Sequence, residues 1–175
     1  MKKLVVLLTI LTIPMLSFGQ ENLLDRINFI IGEWTGSGIG FGNNTSTIES
    51  EFQYIMDNKY IEVVNESWFK PTENNPDGEY HIDKGFISFD KSRKLIVFRQ
   101  FNNEGYINQY ILNDSLSIAT TLIFETEIIE NFMPGGKARW TINKINDNQI
   151  ETVFDVYFPG KDYTCFGTNK LRRKK

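Results

Sequence analysis

Few residues in this chain could do chemistry, and they are spread thinly. There is one His, His81, and one Cys, Cys165. A metal site with two histidines is therefore impossible, and the two residues lie far apart in sequence. No Gly-x-Ser-x-Gly elbow or phosphate loop is present. Gly36, Gly38, Gly40 and Gly42 imitate a nucleotide fingerprint, yet they precede a strand rather than the helix whose N-terminus such a site needs. Two mid-strand pairs stand out instead: Arg99 and Gln100 between Phe98 and Phe101, and Asn108 and Gln109 between Ile107 and Tyr110. Whichever parity faces inward, each strand sends one polar group inside. A buried polar group without a partner costs about 1 to 3 kcal/mol, so these residues bond one another or hold a ligand. His81 opens a predicted strand and reads as a rim or surface residue, with a polar cavity contact as the alternative. Tyr54, Trp68, Trp140 and Phe166 supply either aromatic walls or plain core. Arg99 with Glu62 or Glu66 is the only enzymatic grouping on offer, and it lacks a positioned base and nucleophile. No catalytic or metal-ligating residue is assigned, and the chain is not read as an enzyme.

The elements that must position these groups are strands. Asn22 to Ile31 carries Leu23, Leu24, Ile27, Ile30 and Ile31 at spacings of three and four, which predicts one short amphipathic helix. Past Gly32 the period becomes two: Ile48, Ser50, Phe52 and Tyr54 alternate with Glu49, Glu51 and Gln53. Clusters of Asn, Asp, Gly and Pro interrupt the runs nine times, including Asn74-Asn75-Pro76-Asp77-Gly78 and Pro134-Gly135-Gly136. Ten strands follow, near residues 33–41, 46–56, 59–69, 79–90, 94–101, 105–113, 116–126, 137–145, 149–158 and 163–172. With no helix between them, neighbours pair antiparallel in up-and-down order. Closure into a barrel removes both open edges, and ten strands enclose room for a small ligand. A filled two-sheet sandwich is the alternative that the same alternation permits. Trp34 plugs the closed end, stacked under a cation from the last strand for which Arg172 is the candidate.

Residues 1–19 stand apart from this pattern. Lys2 and Lys3, an apolar run from Leu4 to Leu16, and Ser17-Phe18-Gly19 have the three-part layout of a secretory signal peptide cut after Gly19. The apolar run is shorter than the ~18 residues that a membrane span needs. Removing residues 1–19 leaves 156 residues, 17 basic against 22 acidic, which predicts a single barrel domain over 20–175, exported to the periplasm or beyond. The acidic balance argues against nucleic acid. A lone Cys165 in an exported chain is expected to be buried.

Taken together, Phe29-Ile30-Ile31-Gly32-Glu33-Trp34-Thr35-Gly36-Ser37-Gly38, then Phe98-Arg99-Gln100-Phe101, Glu104 to Tyr110 and Asn169-Lys170-Leu171-Arg172-Arg173 resemble the nitrobindin-like, fatty-acid-binding-protein-like barrels of the calycin superfamily. The resemblance spans essentially the whole mature chain. It implies a ten-stranded all-β barrel with a cavity and an N-terminal helix at one end. The haem-binding members use a His-Leu pair in the last strand, where this chain has Lys170-Leu171, so no cofactor is assigned, and haem held by His81 as a substitute ligand is the alternative. The expected function is binding of a small, largely apolar or amphipathic molecule, with Arg99, Gln100, Asn108, Gln109, His81, Tyr54, Trp140 and Phe166 as candidate contacts.

Overall fold

Residues of alternating polarity form strands because one face of each ribbon meets water and the other meets its opposite wall. In the computed structural model, which describes residues 23–73 and 75–175, ten such ribbons follow one another. They are β1 (Gly32–Gly40), β2 (Thr45–Ile55), β3 (Tyr60–Phe69), β4 (Glu79–Asp90), β5 (Leu95–Asn102), β6 (Ile107–Leu112), β7 (Thr121–Glu130), β8 (Lys137–Asn146), β9 (Gln149–Tyr157) and β10 (Thr164–Arg173). The expected leader at 1–19, Asn22 at the head of the expected helix, and Asn74 in its turn lie outside the described residues.

Each strand pairs antiparallel with the next, and β10 returns to pair with β1 from Trp34↔Arg173 to Gly40↔Gly167. Closure leaves no free edge, which rules out the two-sheet sandwich. Two glycines permit the closest approaches between strands. A Cβ at Gly36 would run into the Lys170 carbonyl across the closing seam, and one at Gly85 into the Arg99 carbonyl between β4 and β5.

Most strand ends fall within two residues of expectation, but β7 does not. The alternation of Leu116, Ser117 and Ile118 predicts a strand from 116, whereas Asn113 binds that stretch into a turn. Its side-chain oxygen accepts the Ser115 and Leu116 amides at 3.1 and 3.3 Å, and its carbonyl accepts the Ser117 amide at 2.9 Å. The strand starts at Thr121 and runs on to Glu130.

The N-terminal helix is a 3₁₀ helix, Asp25–Ile30, tighter and shorter than the Asn22–Ile31 helix expected. Ile27 and Ile30, with Leu24 ahead of them, are fully buried and close one end of the barrel. Trp34 packs behind them with no exposed surface and donates its indole N–H to the Ile30 carbonyl at 2.7 Å. The cation over its ring is Arg173 at 4.1 Å, not Arg172. Register decides this: Arg173 faces Trp34, while Arg172 faces Thr35 on the wet parity and is exposed. The Arg173 guanidinium also donates to the Ile31 and Phe29 carbonyls, tying the last strand to the helix. Beyond this plug, Phe52, Phe98, Phe124, Leu112, Ile142 and Ile150 fill the helix-side half of the interior.

Candidate ligand cavity

The other half is hollow. Following the inward parity away from the helix, apolar side chains give way to polar ones: Ile61 and Val63 to Asn65 and Ser67 on β3, Ile87 to Asp83 and His81 on β4, Phe98 to Gln100 and Asn102 on β5. Above the switch lies a cavity of about 470 Å³. Its floor is an aromatic stack. Trp140 lies 5.4 Å from Phe98 and 6.0 Å from Phe124, centroid to centroid, and Phe98 stacks on Tyr110 at 5.6 Å.

The two sides of the cavity differ in chemistry. Asn65, Glu79, His81, Asp83, Gln100 and Asn108, from β3 to β6, make a polar wall. Opposite, Trp140, Phe154, Val156, Phe158 and Phe166, with Phe132 from the β7–β8 turn, make an apolar one. Rings continue along this rim, Phe132 to Phe158 and Phe158 to Phe166 at 5.9 Å each. Phe166 reaches the interior through a bulge: Cys165 pairs with Asp155 and Gly167 with Phe154, which leaves Phe166 as the extra residue. The same bulge leaves Cys165 on the outside, exposed rather than buried as expected.

Polar groups at the floor are organised around Gln100. Its Oε1 accepts from Asn108 Nδ2 at 3.0 Å and from the Tyr110 hydroxyl at 3.1 Å. Gln100 is only 7% exposed and Asn108 only 6%. Burial of Tyr110 pushes its hydroxyl pKa well above the usual range, so the phenol stays a neutral donor. At the mouth, His81 sits between two carboxylates. Its Nε2 lies 3.2 Å from Asp83 Oδ2 and its Nδ1 3.3 Å from Glu104 Oε1. The hydrogen bond to Asp83 above all, with the charges of Asp83 and Glu104, outweighs partial burial and raises the His81 pKa to about 9. It is an imidazolium at neutral pH.

Five of the eight candidate contacts therefore gather here: Gln100, Asn108, His81, Trp140 and Phe166. Three do not. Arg99 is exposed on the outer face, and Gln109 beside it donates to Glu127 at 3.0 Å. Parity separates them, because Arg99 pairs with Gln109 just as Gln100 pairs with Asn108. Tyr54 stands at the helix end, its hydroxyl on Asn28 Oδ1 at 2.6 Å. Trp68 also faces outward, packed on Tyr80 at 5.6 Å, and Glu66 accepts the Tyr80 hydroxyl there, apart from the cavity. Sequence reasoning missed Asn65, Glu79 and Asp83. Their signal was available: polar residues at alternate positions in continuity with Ile61-Val63 and Ile87.

Haem does not fit these residues. Lys170 is exposed on the outer parity of β10, between Ser37 and Glu151, and cannot reach the interior. The inward neighbours at that place are Asn169 and Leu171, and both nitrogens of His81 already face carboxylates.

No family model and no curated protein matches the chain. Solved structures do. Rv2717c from M. tuberculosis superposes with a TM-score of 0.63 at 14% identity, over 87% of this chain and 98% of that one. A de novo designed fluorescence-activating β-barrel gives 0.45 at 13% identity, over 86% and 98%. The redesigned barrel mFAP1, solved bound to DFHBI, gives 0.42 at 14% identity, over 85% and 98%. The likeness to Rv2717c shows a shared barrel fold.

Proposed function

We propose that this protein is a small-molecule carrier or receptor whose barrel holds an amphipathic ligand in the half away from the helix. One observation carries the reading: the interior parity of adjacent strands abandons apolar packing at the same height and leaves a lined volume of about 470 Å³. A core built only for stability closes such a space, since wall atoms that face a gap forfeit dispersion contacts. Apolar walls with few polar anchors are the ordinary make-up of ligand sites. The expectation of a largely apolar ligand is refined to an amphipathic one, because half the wall is amide, hydroxyl and carboxylate. We read the chain as a calycin-type, nitrobindin-like barrel without haem, exported after cleavage near Gly19; strand order, the closing β1–β10 seam and the N-terminal helix support the first part, and the layout of residues 1–19 the second. Among the described residues no helix is long and apolar enough to cross a membrane.

Binding of the neutral lipophilic dye N-phenyl-1-naphthylamine to delipidated protein tests the proposal. Saturable, one-to-one fluorescence enhancement is expected. Ala138 lines the cavity and is 2% exposed, so Ala138→Trp fills the space and abolishes the signal while circular dichroism stays that of a β-barrel. Dye binding that is absent, or indifferent to Ala138→Trp, contradicts it.

A further inference from the structure

The charge of the cavity restricts the head group it can accept. Among the residues lining it there is no Lys or Arg, and Arg99, the cation nearest in sequence to its polar floor, points to solvent. Facing the space are Glu79, Asp83 and Glu104, with His81 as the single positive group. Both nitrogens of that imidazole are already spent on Asp83 and Glu104. A carboxylate or phosphate entering here would find no free cation and three like charges. Glu79, in contrast, has no hydrogen-bond or ion-pair partner among the described residues, and its carboxylate converges with His81 and Glu104, the ligand-capable atoms lying within 4.8 Å of one another.

A second feature, independent of the carboxylates, is that the wall presents polar groups with bonding capacity to spare. Ser46 is 7% exposed, and its hydroxyl has no hydrogen-bond partner among the described residues. It shares an inward row with Phe69 and Glu79 across β2, β3 and β4. Gln100 likewise uses only its Oε1, which leaves its amide N–H₂ without a partner among the described residues. Neither atom is sealed off, since no buried side-chain nitrogen or oxygen among the described residues lacks a partner, so both face the open space of the cavity and are available to a guest. On the far side, Phe132, Phe158 and Phe166 line the space, and aromatic rings of this kind pack apolar surface and attract positive charge over their faces.

We infer that the cavity takes an amphipathic organic cation, its ammonium held at the mouth by Glu79, Asp83 and Glu104 and its apolar body laid along Phe154, Phe158 and Phe166. This rests on the small-molecule reading above and adds the sign of the ligand's charge. A bare divalent cation would use the carboxylates but leave the aromatic wall and the volume behind it without an occupant.

Isothermal titration of the purified protein near neutral pH with n-octylamine, n-octanol and n-octanoate tests it, since the three share a tail and differ in head. The amine binds about tenfold or more tighter than the alcohol, the equivalent of one charge-assisted hydrogen bond, and octanoate binds weakest. Added salt weakens the amine alone. Glu79→Gln with Glu104→Gln removes most of the preference for the amine over the alcohol, while circular dichroism stays that of the unaltered barrel and reports an intact fold. Equal or tighter binding of octanol or octanoate, or an amine affinity untouched by the double variant, overturns the inference. So does Mn²⁺ binding that the double variant abolishes with no preference for the ammonium head. If none of the three amphiphiles binds, the small-molecule reading falls with it.

Discussion

At the scale of single residues, His81 reports the electrostatics of the mouth. Its folded pKa, raised to about 9 from 6.5 by Asp83 first and Glu104 second, means that the protonated ring is favoured by folding. The stabilisation is therefore complete below about pH 6.5 and is lost as pH rises through about 9. It amounts to about 1 to 2 kcal/mol after solvent screening. Because the chain has one His, the imidazole resonance of untagged protein gives the midpoint directly; a value near 9 is expected, falling toward 6.5 in Asp83→Asn. A midpoint near 6.5 in the unaltered protein removes the ion pairs from the account. Arg173 is the second telling residue. Arg173→Ala loses the stacking on Trp34 and the bonds to two carbonyls, for about 2 to 3 kcal/mol in urea unfolding. Arg173→Lys does not rescue it, since an ammonium lacks the planar fork, and Arg172→Ala is within about 0.5 kcal/mol of neutral. The neighbouring Arg172 and Arg173 are indistinguishable in sequence; only the register against Trp34 separates them. The same holds for Gln100 against Arg99. Sequence required one polar residue inward from each strand without saying which, and parity supplied the answer.

At the scale of elements, the alternating runs located nine of the ten strands closely, because burial on one face writes a period of two. β7 was misplaced because Leu116-Ser117-Ile118 carries the same period for a local reason, the turn that Asn113 caps. The bulge at Phe166 was not legible either, since one extra residue leaves composition unchanged while it turns Phe166 inward and leaves Cys165 outside. The division of each strand into a packed half and a cavity half makes a stability prediction. Phe98→Ala, in the filled half, costs about 3 to 5 kcal/mol, whereas Phe166→Ala, at the mouth, costs about 1 kcal/mol. Equal losses in chemical denaturation would mean that both halves are core. Gly85→Ala tests the close approach of β4 and β5: the added methyl meets the Arg99 backbone, which cannot swing away as a side chain would, and about 1 to 3 kcal/mol is lost.

At the scale of the whole molecule, ten strands close on themselves, the helix and Trp34 seal one end, and the opposite end stays hollow with unlike walls. Closure followed from edge avoidance and was readable before any coordinates. The hollow was not, because polar residues on a core parity signal either an internal network or a ligand, and Gln100 with Asn108 proves to form both a network and a wall. Cavity occupancy is the claim on which the rest depends. Nuclear Overhauser contacts between bound n-octylamine and assigned aromatic protons measure it most directly. The account predicts contacts from the alkyl chain to Trp140, Phe154 and Phe158; contacts only to the outer-face rings of Trp68, Tyr80 and Phe101, or none at all, would contradict it.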